Sequence, residues 1–318
     1  MATTFPCKAE LAGMPNELLY HIAENVEDNK DLNSLVQTCR DFYDLLNPEL
    51  YRRDARLSGA SALWWAAERG SVETAKKAVE AGADVNSVRT IGLRHKETLL
   101  LSTVIARARA KLMNNAAKRD AVFTILEMLL ENGVNVNYME EETGFNPIES
   151  AVIDEDYEVV KLLLEHGAQI PADISGHGSF AHILIQWPGR APSFELLELL
   201  LTHGLDANAR NQSGSTALHL IAERQFKEGL EPVLALLLRH GADIHAKNGQ
   251  NRTALELAME EATFVAAQGR TKFDARVLKL FLESGADTST VMRPRLQVVR
   301  EAFEEVEKKL GRTFSFCG

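Results

Sequence analysis

Between residues 214 and 248 the apolar positions fall into two short helical runs. Leu218, Leu220 and Ile221 stripe the first, and Val233, Leu236, Leu237 and Leu238 make the second mostly apolar. Gly241-Ala-Asp243 then ends the second run, and an extended polar stretch follows. A helix pair of this kind cannot bury its own apolar surface, so it predicts neighbours of the same construction. The chain supplies them: a glycine closes an apolar run at Gly82, Gly133, Gly167, Gly204, Gly241 and Gly285, at intervals of 34 to 51 residues. Each predicts a helix end with a left-handed residue just beyond it, a conformation that glycine adopts without steric cost. His166, His203 and His240 stand in the last turn before three of these glycines, where they can meet exposed carbonyls and the negative end of the helix dipole. They belong to different copies and have no cysteine nearby, which is a structural pattern rather than a metal ladder.

The flanks follow another pattern. Over 11–57, Pro15 suits a first helical turn, and Leu18, Leu19, Ile22 and Val26 make an apolar face behind it. Asp31 can cap a second helix carrying Leu32, Leu35, Val36 and Cys39. A third short helix would hold Phe42, Leu45 and Leu46, with Pro48 opening a fourth segment through Leu50 and Tyr51. At the other end, 295–310 predicts one helix with Val299, Phe303, Val306 and Leu310 on one side, a suitable lid for the last copy. The apolar tail Phe314-Ser-Phe-Cys317 has no assigned role.

The unit that opens with Thr216-Ala-Leu-His219 and ends at Gly241-Ala-Asp243 resembles an ankyrin repeat, a helix pair followed by an extended finger. Six such units fit between 61 and 288. The second, near 97–137, holds the longest insertion, with one helix starting at Thr98-Leu-Leu-Leu101 and another over 121–131. The third uses Pro147-Ile148, the fourth is broken by Trp187-Pro188-Gly189, and the sixth has an insertion through Phe264 and Gly269. In the first, Trp64 and Trp65 replace the usual His-Leu and are expected to pack that repeat against the N-terminal unit.

The N-terminal unit resembles an F-box in the spacing of Met14-Pro15, Leu18-Leu19, Ile22, Leu32, Leu35, Cys39-Arg40, Phe42, Leu45 and Leu50-Tyr51. Met14 stands where the family usually has leucine, and Tyr51 where it often has tryptophan. The resemblance implies binding of a Skp-type adaptor, which joins a cullin and RING core in a ubiquitin ligase of the Skp, cullin and F-box (SCF) class. The adaptor-binding set it implies is Met14, Pro15, Leu18, Leu19, Ile22, Leu32, Leu35, Val36, Cys39, Phe42 and Leu45. Part of that apolar set should remain uncovered in the free protein. The ankyrin repeats would hold a protein substrate on the face made by first helices and fingers, near 87–96, 138–145, 171–178, 209–213 and 246–251. The expected fold is therefore all-α: a flexible 1–10, an F-box-like unit over 11–57, an ankyrin solenoid over 61–288 and a capping helix over 295–310. A plain ankyrin scaffold, whose N-terminal helices only cap the stack, is the alternative.

Composition narrows the function classes. A net charge of −10 argues against nucleic acid as a main partner. Cys7, Cys39 and Cys317 form no paired framework, which points to a reducing cytoplasmic or nuclear location, and no apolar run reaches membrane-span length. Charge is distributed unevenly: 88–119 carries eight Lys or Arg against Glu97 alone, whereas 121–160 carries ten acids and no Lys or Arg. Such runs are usually solvated faces. If one patch meets a partner, the sequence points to Arg107, Arg109 and Lys111. No phosphate loop, dinucleotide fingerprint, zinc-protease motif or nucleophile elbow is present, and His219 reads as a turn residue. No catalytic residue, cofactor or metal is expected.

Overall fold

The computed structural model describes residues 15–26, 28–38, 40–57, 59–91, 95–138, 146–174, 177–186, 193–224, 229–267 and 275–317. Among them are sixteen helices and a single two-stranded antiparallel sheet. The chain divides into two compact units, 1–154 with 165–168, and 155–164 with 169–318.

The first unit begins with α1 (Asn16–Asn25), α2 (Asn29–Val36) and α3 (Arg40–Leu57). Their core is Leu19, Ala23, Leu32, Val36, Phe42 and Leu46, with Val26, Leu35, Leu45 and Leu50 packed against it. Asp28, not Asp31, caps α2, accepting from the Lys30 backbone N–H at 2.8 Å, while Asp31 lies in the first turn where a carboxylate complements the dipole. Pro48 opens no new segment. It sits inside one continuous helix, exposed, where the lost backbone hydrogen bond falls on the solvent side. The Arg53 guanidinium of α3 gathers the carbonyls of Ala23, Glu24 and Val26, closing the C-terminal end of α1.

Two contacts join α3 to the first repeat, α4 (Ser61–Arg69) and α5 (Val72–Glu80). The Asp54 carboxylate accepts from the Ser61 hydroxyl and, at 2.8 Å, from the Ala62 N–H, so a side chain of α3 satisfies the start of α4. Lys77 of α5 lies 5.5 Å from the Tyr43 ring centroid. Trp65 is 51% exposed, and buried Trp64 lies beneath the Arg89 guanidinium, 4.3 Å from its ring centroid.

Arg89 belongs to the hairpin β1 (Val88–Ile91) and β2 (His95–Thr98), formed by the finger after the first repeat. It also pairs with Glu97 at 2.9 Å and with Glu68. The basic run that follows is not a loop between helices. It is absorbed into two long helices, α6 (Leu99–Leu112) and α7 (Ala116–Glu131), joined by a tight turn with Asn114 at φ 53°. Thr98 caps α6 and Asn115 caps α7. The unit closes with α8 (Pro147–Ile153), capped by Asn146.

The second unit holds α9 (Tyr157–Glu165), α10 (Phe180–Gln186), α11 (Phe194–Thr202), α12 (Ala217–Glu223), α13 (Leu230–Arg239), α14 (Ala254–Ala267), α15 (Arg276–Glu283) and α16 (Gln297–Leu310). The Trp187 to Pro192 break and the Gly269 part of the last insertion lie outside the described residues, but α14 runs on through Phe264 as helix. All six repeat-closing glycines have positive φ, from 77° at Gly133 to 97° at Gly204. The turn behind them repeats too: Ala83, Val134, Leu205, Ala242 and Ala286 each donate a backbone N–H five residues back into the preceding helix. α16 covers α15, burying Val299, Phe303 and Val306, with Lys309 to Glu283 at 2.8 Å on its rim. The tail acquires a place here: Phe314 and Phe316 pack on Phe303 at ring-centroid distances of 5.4 and 5.2 Å.

Candidate protein-interaction surfaces

Each first helix of a repeat starts with the same structural slot, and the chain fills it differently each time. Trp64, Leu101, Glu149, His182, His219 and Glu256 occupy it in order. At His219 the ring accepts the Thr216 N–H on Nδ1 at 3.1 Å and donates from Nε2 to the Arg252 carbonyl at 3.0 Å. His182 does the same with the Ser179 N–H at 3.1 Å and the Ser215 carbonyl at 2.9 Å. Burial pushes both imidazoles below the usual histidine range, although their backbone acceptors pull the other way. Glu256 keeps only the local half of this arrangement, accepting the Thr253 N–H at 2.9 Å. Glu149 is buried, and desolvation raises its pKa. These perturbed groups occupy separate helix starts rather than one cleft, and they are explained by repeat packing. Among the described residues no group of three or more His, Cys, Asp or Glu could hold a metal ion.

The fingers carry a second link. Asp84, Asn135, Asp206, Asp243 and Asp287 each accept the backbone N–H two residues ahead. The asparagine after that turn reaches onward: Asn86 accepts from the Asn135 N–H at 2.7 Å, and Asn208 accepts from Asp243 and donates to the Gly241 carbonyl. Sequence reading missed these links, although the recurring Asp-X-Asn spacing was visible.

The site residues expected from sequence separate into two sets. Leu19, Leu32, Val36 and Phe42 are buried, so they cannot supply contact surface and act by holding the three helices together. Leu35 and Leu45 are half-buried against the same core. Leu18 (52%) and Ile22 (38%), one turn apart on α1, and Pro15, its N-cap residue, are exposed beside the buried positions Leu19 and Ala23. This is a short apolar strip facing water. Met14 and Cys39 lie outside the described residues.

The basic patch does not form as expected. Arg107 is 2% exposed, stacked 4.5 Å from the Phe123 ring centroid and donating to the Arg119 carbonyl at 3.1 Å, so it braces α6 on α7. Lengthening of both helices brought it inside. Lys111 donates to the Asp154 carbonyl at 2.8 Å. Arg109 and Lys111 are both exposed, so two of the three side chains stay at the surface. Finger residues 139–145, 92–94 and 175–176 lie outside the described residues.

Family comparisons agree with this geometry. An F-box-like family model matches residues 11–56, an ankyrin-repeat model matches 58–90, and a model of three ankyrin-repeat copies matches 187–291. The human 2-5A-dependent ribonuclease is 48% identical over 44 residues, which is 14% of this chain and only 6% of that protein's length. An ankyrin repeat domain from Acinetobacter baumannii AYE superposes with a TM-score of 0.54 at 20% identity, covering 71% of this chain and 98% of that one. The ankyrin-repeat protein EF0377 covers 70% of this chain and 97% of its own at 21% identity, with a TM-score of 0.48. An F-box-like domain is thus followed by ankyrin repeats, and the chain is an F-box/ankyrin-repeat protein.

Proposed function

We propose that this protein is the substrate-recognition subunit of an SCF-type ubiquitin ligase. Its F-box-like domain binds a Skp-type adaptor and thereby a cullin and RING core, and its repeats hold the protein to be modified. The observation that carries this reading is the exposed apolar strip of Leu18 and Ile22 on α1, with exposed Pro15 at its N-cap. A helix that only capped a repeat stack would have no use for apolar side chains on its solvent side, whereas interfaces bury such anchors at their centre. The chain performs no chemistry of its own in this account. Its contribution is proximity, raising the effective concentration of substrate lysines near a charged ubiquitin carrier. That role belongs in the cytoplasm and nucleus.

The alternative is an ankyrin scaffold with a helical cap, and the Asp54 cap on α4 is the feature that favours it. Reconstitution separates the two. The full chain, mixed with a Skp-type adaptor and a cullin and RING core, is expected to elute as one stoichiometric complex. A folded chain that elutes apart from the adaptor contradicts the ligase reading.

A further inference from the structure

The second unit contains a groove of about 590 Å³ between α14 and the finger that follows α15. Its floor is apolar: Met259 and Val291 are buried there, Pro294 is half-buried, and Met292 rises from it 77% exposed. Its charges are unbalanced. Arg252 pairs with Glu260 and bonds Gln250, and the Glu256 carboxylate is turned back onto the Thr253 N–H. Arg293 and Arg295 are exposed at the rim and form no ion pair with a described residue. The outward field of this groove is therefore positive, in a chain whose net charge is −10.

The finger wall is held in place before any ligand arrives. Cys317 donates its backbone N–H to the Val291 carbonyl at 2.9 Å, and the tail bridges Met292. The same tail is anchored by Phe314 and Phe316 on Phe303. A fixed wall spares a partner the entropy of ordering it, while unbranched methionines let the floor adapt to the side chain that enters.

From the apolar floor and the positive rim we infer that this groove binds an acidic segment of a partner protein, seating one apolar side chain between Met259 and Met292 and its carboxylates against Arg293 and Arg295. The inference rests on the reading of the repeats as the partner-binding part and names the chemistry of that partner. The floor disfavours a polyanion such as nucleic acid, which offers it no aliphatic anchor.

The test uses the full chain on an oriented array of random twelve-residue peptides, followed by fluorescence anisotropy of the best peptide. Selected sequences are expected to be enriched in Asp and Glu flanking a Leu, Met or Phe. Arg293→Glu/Arg295→Glu should weaken the best peptide at least tenfold, as should Met292→Glu; all three positions are exposed and outside the core. Affinity should also fall as salt is raised. No selection, selection without acidic enrichment, or binding unchanged in the Arg293→Glu/Arg295→Glu variant overturns the inference. Adaptor binding measured on the same samples should be unaffected by these substitutions, so failure of the groove and failure of the ligase reading give separate results.

Discussion

The Nε2 atom of His219 lies 3.0 Å from the carbonyl oxygen of Arg252, one repeat further along the chain. Because Nδ1 of the same ring accepts the Thr216 N–H, the imidazole must be neutral with its proton on Nε2. One side chain thus starts its own helix and ties the next finger to it. Replacing His219 with Ala leaves the buried Thr216 N–H without its partner and the Arg252 carbonyl with the Asn248 N–H alone, so a loss of about 1–2 kcal/mol is expected in chemical denaturation. His182→Ala should behave alike.

The same geometry fixes a pH dependence. Both histidines have folded-state pKa values below the ordinary 6.5, so the unfolded chain binds protons first as pH falls. Their contribution is complete above about pH 6.5 and declines below it until the folded-state values are passed. Glu149, raised by burial from 4.5, acts with the opposite sign, its contribution falling as pH rises above that value. The difference in stability between the native chain and the His182→Ala/His219→Ala variant should therefore shrink as pH is lowered from 7 to 5. A difference that stays constant contradicts the neutral-imidazole assignment.

Arg89 does in the first repeat what histidine does later. Its guanidinium covers Trp64 and pairs with buried Glu97, so Arg89→Ala strands a carboxylate in the hairpin. A cost of about 1–2 kcal/mol is expected, reduced from that of a fully buried pair because Arg89 is partly exposed. Arg89→Lys should recover little, since an ammonium can neither fork across the carboxylate nor stack on the indole. Denaturation followed by tryptophan fluorescence reads both effects.

Two glycines test separate physical causes. A Cβ at Gly241 would meet nothing within 4 Å, so Gly241→Ala costs only the strain of φ 83°, about 1 kcal/mol. A Cβ at Gly249 would lie 2.6 Å from the Ser213 carbonyl oxygen, where two fingers touch backbone to backbone. Gly249→Ala should therefore lower the denaturation midpoint more than Gly241→Ala, and the reverse order would contradict this packing.

What the sequence revealed depended on whether the signal was local. The repeat-closing glycines were readable because helix termination is decided within a few residues, and all six have positive φ. The slot at His219 was readable as a turn, but its bond to Arg252 joins residues 33 apart and needs the stacked fold. The Arg89 cluster needed the pairing of β1 with β2, which the expected all-α fold did not contain. Arg107 was misplaced because a run of basic residues looks the same in a loop as in a helix long enough to carry one of them inside. In α1 the adjoining positions Leu18 and Leu19 are equally apolar, and only packing decides that Leu19 enters the core while Leu18 faces water. A substitution at Leu19 would therefore test folding rather than adaptor binding.

The most direct measurement is the affinity of the full chain for a Skp-type adaptor by isothermal titration calorimetry, beside Leu18→Asp/Ile22→Asp, with circular dichroism confirming that both are folded. The account predicts one-to-one binding by the native chain and a loss of at least tenfold in the variant. Native-like affinity in the variant, or a folded native chain that does not bind, would contradict the claim that the outward strip of α1 recruits a ubiquitin ligase.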